Sequence, residues 1–114
     1  MKKPKKLIRK EIIYKIKPEE WELIEEKGDL YKLYDIKVRE ELNEIIGSER
    51  KDIMEFADLV QVAFDYARES GFSRKELMKA VSEKAKSKGR FSNVVLNNLN
   101  PNNPSNKLYF EERN

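Results

Sequence analysis

The segment from Ser48 to Gly71 constrains the fold more than any other part of the chain, because as a helix it is apolar on two sides. At roughly 100° per residue, Ile53, Phe56, Ala57, Val60, Ala63, Phe64 and Ala67 form one stripe, and Leu59, Val62 and Tyr66 a second. Only a strip with Gln61, Asp65 and Arg68 stays polar. A helix apolar nearly all round sits in the middle of something larger. Ser48 offers an N-cap and Gly71 a stop, so the pattern predicts a helix from Ser48 to about Ser70.

The flanks read as helices too. Leu30, Leu33, Tyr34, Val38, Leu42, Ile45 and Ile46 recur at three and four, which predicts a helix over 30–46 with Gly47 as its stop. Pro18-Glu19-Glu20 reads as a helix start, through Trp21, Leu23 and Ile24 to Gly28. Ser73 and Glu76 form a capping box for a helix through Leu77, Ala80, Val81 and Ala85 up to Gly89. After Phe91 the chain turns polar and hostile to helix, with Asn93, Asn97, Asn98, Asn100, Asn102, Asn103 and Asn106 beside Pro101 and Pro104. Leu108-Tyr109-Phe110 is a late apolar patch, suited to docking on the body or on a partner.

The expected layout is a basic arm over 1–17, a helical domain over 18–91 and a tail over 92–114. The expected fold is all-α, an antiparallel bundle of about four helices. One chain of that size leaves a face of the central helix bare, so a homodimer or homotetramer is expected to complete it. Charged residues equal hydrophobic ones at 39% each, and four Gly and four Pro are too few for a sandwich or barrel.

Absences narrow the chemistry. No run of about 18 apolar residues is present, so no membrane span is expected, and no apolar segment follows the basic start to make a secretory signal. Without cysteine there are no disulfides, and the cytoplasm is the default compartment. Without His or Cys there are no serine–histidine triads, thiol nucleophiles or ordinary zinc sites. Gly28, Gly47, Gly71 and Gly89 are too scattered for a phosphate-binding glycine loop. Carboxylate, lysine and arginine chemistry remains, which means hard cations and phosphates.

The net charge of +3 is uneven: Lys2, Lys3, Lys5, Lys6, Arg9 and Lys10 precede any acid. Taking these six from 24 basic residues leaves 18 against 21 acidic, so the body is mildly acidic. The arm reads first as a solvated tail; nucleic-acid contact is the rival, and nothing beyond the arm supports it.

Two acidic pairs stand out. Glu55 and Asp58 fall on the second apolar stripe, one turn before Leu59 and Val62. Glu41 lies at the edge of the Tyr34/Val38/Ile45 stripe, with Glu44 one turn on. Across a short turn at Gly47-Ser48 the pairs can meet, and four converging carboxylates call for a divalent cation. Each pair alone is more often a solvated helix face.

These residues resemble the all-α nucleoside triphosphate pyrophosphohydrolases of MazG type, including phosphoribosyl-ATP pyrophosphohydrolase and the dimeric all-α dUTPases. That family carries EExxE on one helix and ExxD on the next. Here stand Glu40-Glu41-Leu42-Asn43-Glu44 and Glu55-Phe56-Ala57-Asp58. Glu83-Lys84-Ala85-Lys86-Ser87-Lys88-Gly89-Arg90-Phe91 is similar to an EKxxxRGGF pattern of house-cleaning members, and Lys6-Leu7-Ile8-Arg9 to the KLVRD that opens some. Arg90 replaces the second glycine, Lys10 the opening aspartate, and only ten residues separate Glu44 from Glu55, which is short for the family.

The resemblance implies Mg2+-dependent hydrolysis between the α and β phosphates of a nucleoside triphosphate, giving monophosphate and pyrophosphate. Glu41, Glu44, Glu55 and Asp58 then hold Mg2+, for which Mn2+ can substitute. Glu40 or Glu41 accepts the proton of the attacking water. Lys84, Lys88 and Arg90 are the implied phosphate ligands. Trp21, Phe91 and Asn93, with Tyr34 and Asn97, are the implied base contacts, although a plain core role is the commoner use of each aromatic. The rival within the same fold is a non-catalytic regulatory or partner-binding module.

Overall fold

The computed structural model describes residues 3–111; Met1 and Lys2 of the basic arm and residues 112–114 of the tail lie outside them. No strand is found among the described residues. The helices are α1 (Lys27–Gly47), α2 (Ile53–Glu69), α3 (Arg74–Lys88) and the short α4 (Lys107–Glu111), with 3-10 turns at Lys10–Lys15, Pro18–Glu20 and Pro104–Asn106. The chain divides into two compact units, one reaching to Ser82 and the other starting at Glu83.

The first unit is organised by α1 packed antiparallel on α2. As numbers rise along α1 their partners fall along α2. Lys27 pairs with Glu69 at 2.7 Å, Tyr31 and Tyr34 stack on Tyr66, and Asp35 accepts from the Tyr66 hydroxyl at 2.7 Å. The turn between them is a Schellman motif, in which Arg50 N–H donates to the Ile45 carbonyl and Glu49 N–H to that of Ile46. Glu49 and Arg50 hold positive φ of 57° and 62°, a conformation that favours glycine.

Two boundaries differ from the sequence reading there. Gly47 is the last helical residue rather than the left-handed stop, which is Glu49. Ser48 closes α1, its hydroxyl donating to the Ile45 carbonyl, whereas Asp52 caps α2 by accepting from Met54 N–H. An aspartate after a left-handed pair is already extended and free to cap; Ser48 is committed to the preceding helix.

The stretch 18–26 is not a helix beyond one 3-10 turn. Trp21 is extended, and the helix starts only where the Glu26 carboxylate takes the N–H groups of Gly28 and Asp29, at 2.9 and 2.6 Å. A piece of that length without a packing face is marginal as helix, while the Glu26 cap stabilises a start at Lys27. Gly28 thus sits inside the first turn, where a Cβ would lie 3.1 Å from the Glu26 carboxylate oxygens.

The capping box at Ser73 forms in both directions, with Ser73 N–H donating to Glu76 and Glu76 N–H to the Ser73 hydroxyl. Gly71, at φ 98°, closes α2 with a second Schellman motif, Phe72 N–H donating to Ala67. Arg74 then lies over the Phe64 ring, 4.5 Å from its centroid.

The stripe of α2 that α1 covers is the one with Leu59, Val62 and Tyr66. Ile45 and Val62 are the buried apolar residues among those described, each worth about 1.5–3 kcal/mol. The larger stripe stays bare over its N-terminal part, where Ile53 is 78% exposed and Val60 50%. In the second unit the asparagines build turns, as Asn100 accepts from Asn102 N–H and Asn103 from Ser105 N–H. Leu108-Tyr109-Phe110 falls inside α4. No helix among the described residues is long and apolar enough to cross a membrane.

Candidate functional site

Helical spacing and the antiparallel register together bring Glu41 and Glu44 of α1 against Glu55 and Asp58 of α2. One carboxylate oxygen from each lies within 4.8 Å of every other. Glu41 is 5% exposed, the one charged residue so deeply placed among those described. Its Oε2 and the Oε2 of Glu55 are both buried without a hydrogen-bond partner.

Burial pushes the Glu41 carboxyl above its ordinary value, helped by the neighbouring Glu44 carboxylate and opposed by the Lys37 charge. Burial also raises Glu55, with the charges of Glu44, Asp52 and Asp58 adding to it. The cluster is therefore short of positive charge. Four oxygens on two rigid helices, two of them buried and unmatched, suit a hard divalent cation. The donor set fits Mg2+ or Mn2+.

Basic residues approach from one side. Lys37 lies 3.6 Å from Glu41 and 3.1 Å from Glu40, and Arg9 donates to Asp58. Lys6 reaches Glu40 at 2.8 Å. Glu40 thus sits beside the cluster, held by two lysines; the hydrogen bond from Lys6 first, then that from Lys37, lowers its carboxyl pKa. Over residues 5–9 the arm is therefore largely exposed but not detached, since Lys6 and Arg9 reach α1 and α2. Leu7, Ile8 and Arg9 join Tyr34, Lys37, Glu41, Asp58, Gln61, Val62 and Asp65 around a pocket of about 120 Å³.

Of the aromatic candidates, Tyr34 lines this pocket; Trp21 is half-buried and does not. Lys84, Lys88, Arg90, Phe91 and Asn93 belong to the second unit and are all exposed there. The residues that spacing missed are Arg9, Lys6, Gln61 and Asp65, the last two joined by a 3.0 Å hydrogen bond. Lys37 was readable as the i,i+4 partner of Glu41. Arg9 meets Asp58 across 49 positions, a distance no local pattern records. Comparison with protein-family models, with curated proteins and with solved structures gives no match to this chain.

Proposed function

We propose that this chain is a Mg2+-dependent nucleoside triphosphate pyrophosphohydrolase, cleaving between the α and β phosphates and releasing monophosphate and pyrophosphate. The observation that carries this reading is the convergence of Glu41, Glu44, Glu55 and Asp58 within 4.8 Å, with two buried oxygens unmatched. The substrate class comes from the likeness of Glu40–Glu44 and Glu55–Asp58 to the EExxE and ExxD of MazG-type enzymes. A role in clearing unwanted nucleotides from the cytoplasm fits that class.

In this reading the four carboxylates hold the cation, which when bound neutralises phosphate charge and makes a nearby water more acidic. Glu41 is favoured over Glu40 as proton acceptor. Glu41 belongs to the cluster itself, whereas Glu40 lies beside it and is already paired with Lys6 and Lys37. Lys37, 3.6 Å away, favours the ionised form of Glu41, and the α1/α2 pair sets the spacing of the carboxylates.

The enzyme works as a homodimer or homotetramer. Ile45 and Val62 make a small core for a chain of this length, and the bare stripe at Ile53, Phe56 and Val60 is what a second copy covers. Sedimentation equilibrium is expected to give an oligomer that Val60→Lys breaks apart; a wild-type monomer contradicts this part.

The test of activity is pyrophosphate release from a panel of nucleoside triphosphates with Mg2+, for wild type, Glu41→Gln and Asp58→Asn. Release by wild type and its loss in both variants is expected. Silence from wild type on every substrate sinks the enzyme; activity in both variants sinks the site.

A further inference from the structure

The basic segment ahead of α1 is held by several ion pairs, of which one reaches the carboxylate cluster and one the residue beside it. Lys5 pairs with Glu22 at 2.7 Å and Lys6 with Glu40 at 2.8 Å. Arg9 reaches Asp58, a member of the cluster itself. Its backbone is fixed independently, because Ile12 N–H donates to the Arg9 carbonyl at 3.0 Å as the following 3-10 turn begins. The Arg9 side chain remains 58% exposed. The guanidinium can therefore leave Asp58 without disturbing the segment that carries it.

We infer that Arg9 is the site's own counter-cation, holding Asp58 while no divalent cation is bound and turning onto an anionic phosphate once one is. The inference rests on the proposed cation site. Asp58 cannot give the same oxygen to a cation and to Arg9 without weakening one of them, so the two compete. A guanidinium stays charged at every accessible pH, and its planar fork matches a phosphate as well as a carboxylate. Once freed, Arg9 stands on the wall of the pocket that Glu41, Asp58 and Lys37 also line. Phosphate oxygens presented there meet it directly. Arg9 thereby joins cation binding to anion binding: the ligand that supplies phosphate recovers the contact that cation entry gives up.

The test uses the full chain, wild type against Arg9→Gln, and reads binding rather than turnover. Free Mn2+ is followed by electron paramagnetic resonance, and radiolabelled pyrophosphate by equilibrium dialysis in excess Mg2+. Arg9→Gln is expected to bind Mn2+ roughly fivefold more tightly, as an exposed competing ion pair is lost. The same variant is expected to bind pyrophosphate about tenfold more weakly, as a charge-assisted fork is lost. Arg9→Lys, a point charge at the same place, is expected to fall between. These opposite signs separate the inference from a structural role, which would weaken both ligands together. Unchanged Mn2+ affinity, or unchanged pyrophosphate affinity, in Arg9→Gln overturns the inference and leaves the cation site standing. If neither protein binds Mn2+, the inference and the cation site fall together.

Discussion

Replacing Glu41 with Gln is expected to stabilise the cation-free protein and abolish its response to Mg2+. Glu41 is 5% exposed and lies within 4.8 Å of three other carboxylates. Two unit charges at that distance, with an effective dielectric of about 20, repel by about 3.5 kcal/mol. Lys37 at 3.6 Å and the water around exposed Glu44 offset part of it, leaving a net gain of about 1–2 kcal/mol for the neutral isostere. In a chain of this size each kcal/mol moves the thermal midpoint by roughly 4 °C or more. Wild type, with Mg2+ at about 100 times its dissociation constant, gains about 2.7 kcal/mol by linkage. Circular dichroism melts at neutral pH, in EDTA and then in Mg2+, are therefore expected to show the variant ahead in EDTA and wild type gaining on addition of the cation. A Gln variant less stable than wild type in EDTA refutes the reasoning, because Glu41 would then be a net stabilising partner of Lys37 rather than one of four charges awaiting a cation.

Other consequences concern protons and the helix ends. Glu41 and Glu55 are raised above 4.5, so the folded cation-free protein holds their protons more tightly than the unfolded chain. Its stability accordingly falls as pH rises from 4.5 through those raised values, and cation binding, which needs both ionised, releases protons. Calorimetric Mn2+ titrations at mildly acidic pH in buffers of different ionisation enthalpy are expected to register that release. Glu49→Gly relieves a left-handed residue and is expected to raise the urea midpoint by an amount worth about 1 kcal/mol; a lower midpoint contradicts the turn. Ser73→Ala removes the hydroxyl that caps α3 and is expected to cost about 1 kcal/mol, read from the same denaturation curves.

Local chemistry was legible where one dominant interaction decides the outcome. Ser73 and Glu76 have no competing partner, so their reciprocal cap follows from spacing alone. Glu55 and Asp58 share a stripe with Leu59 and Val62 by helical geometry, and the short link to α1 leaves little choice of register. Ser48 and Pro18 misled for one reason: each is a good start signal that a nearby competitor outweighs. Ser48 is used by the end of α1, and the Glu26 cap takes the start that Pro18 advertises. The two stripes of α2 were both readable, but not which of them α1 would cover. That depends on where the turn at Glu49 and Arg50 directs α2, and two non-glycine residues at positive φ leave no trace in composition. The contact of Arg9 with Asp58 was hidden most completely, since it depends on how the arm folds back over both helices.

The central claim is that Glu41, Glu44, Glu55 and Asp58 together hold one or more divalent cations. Paramagnetic broadening in a nitrogen-15-labelled sample tests it directly, because substoichiometric Mn2+ erases the amide signals closest to where it binds. Signals around 41–44 and 55–58 are expected to vanish first, and an excess of Mg2+ to restore them. Broadening that begins elsewhere, or spreads evenly over the exposed acidic residues, contradicts the claim.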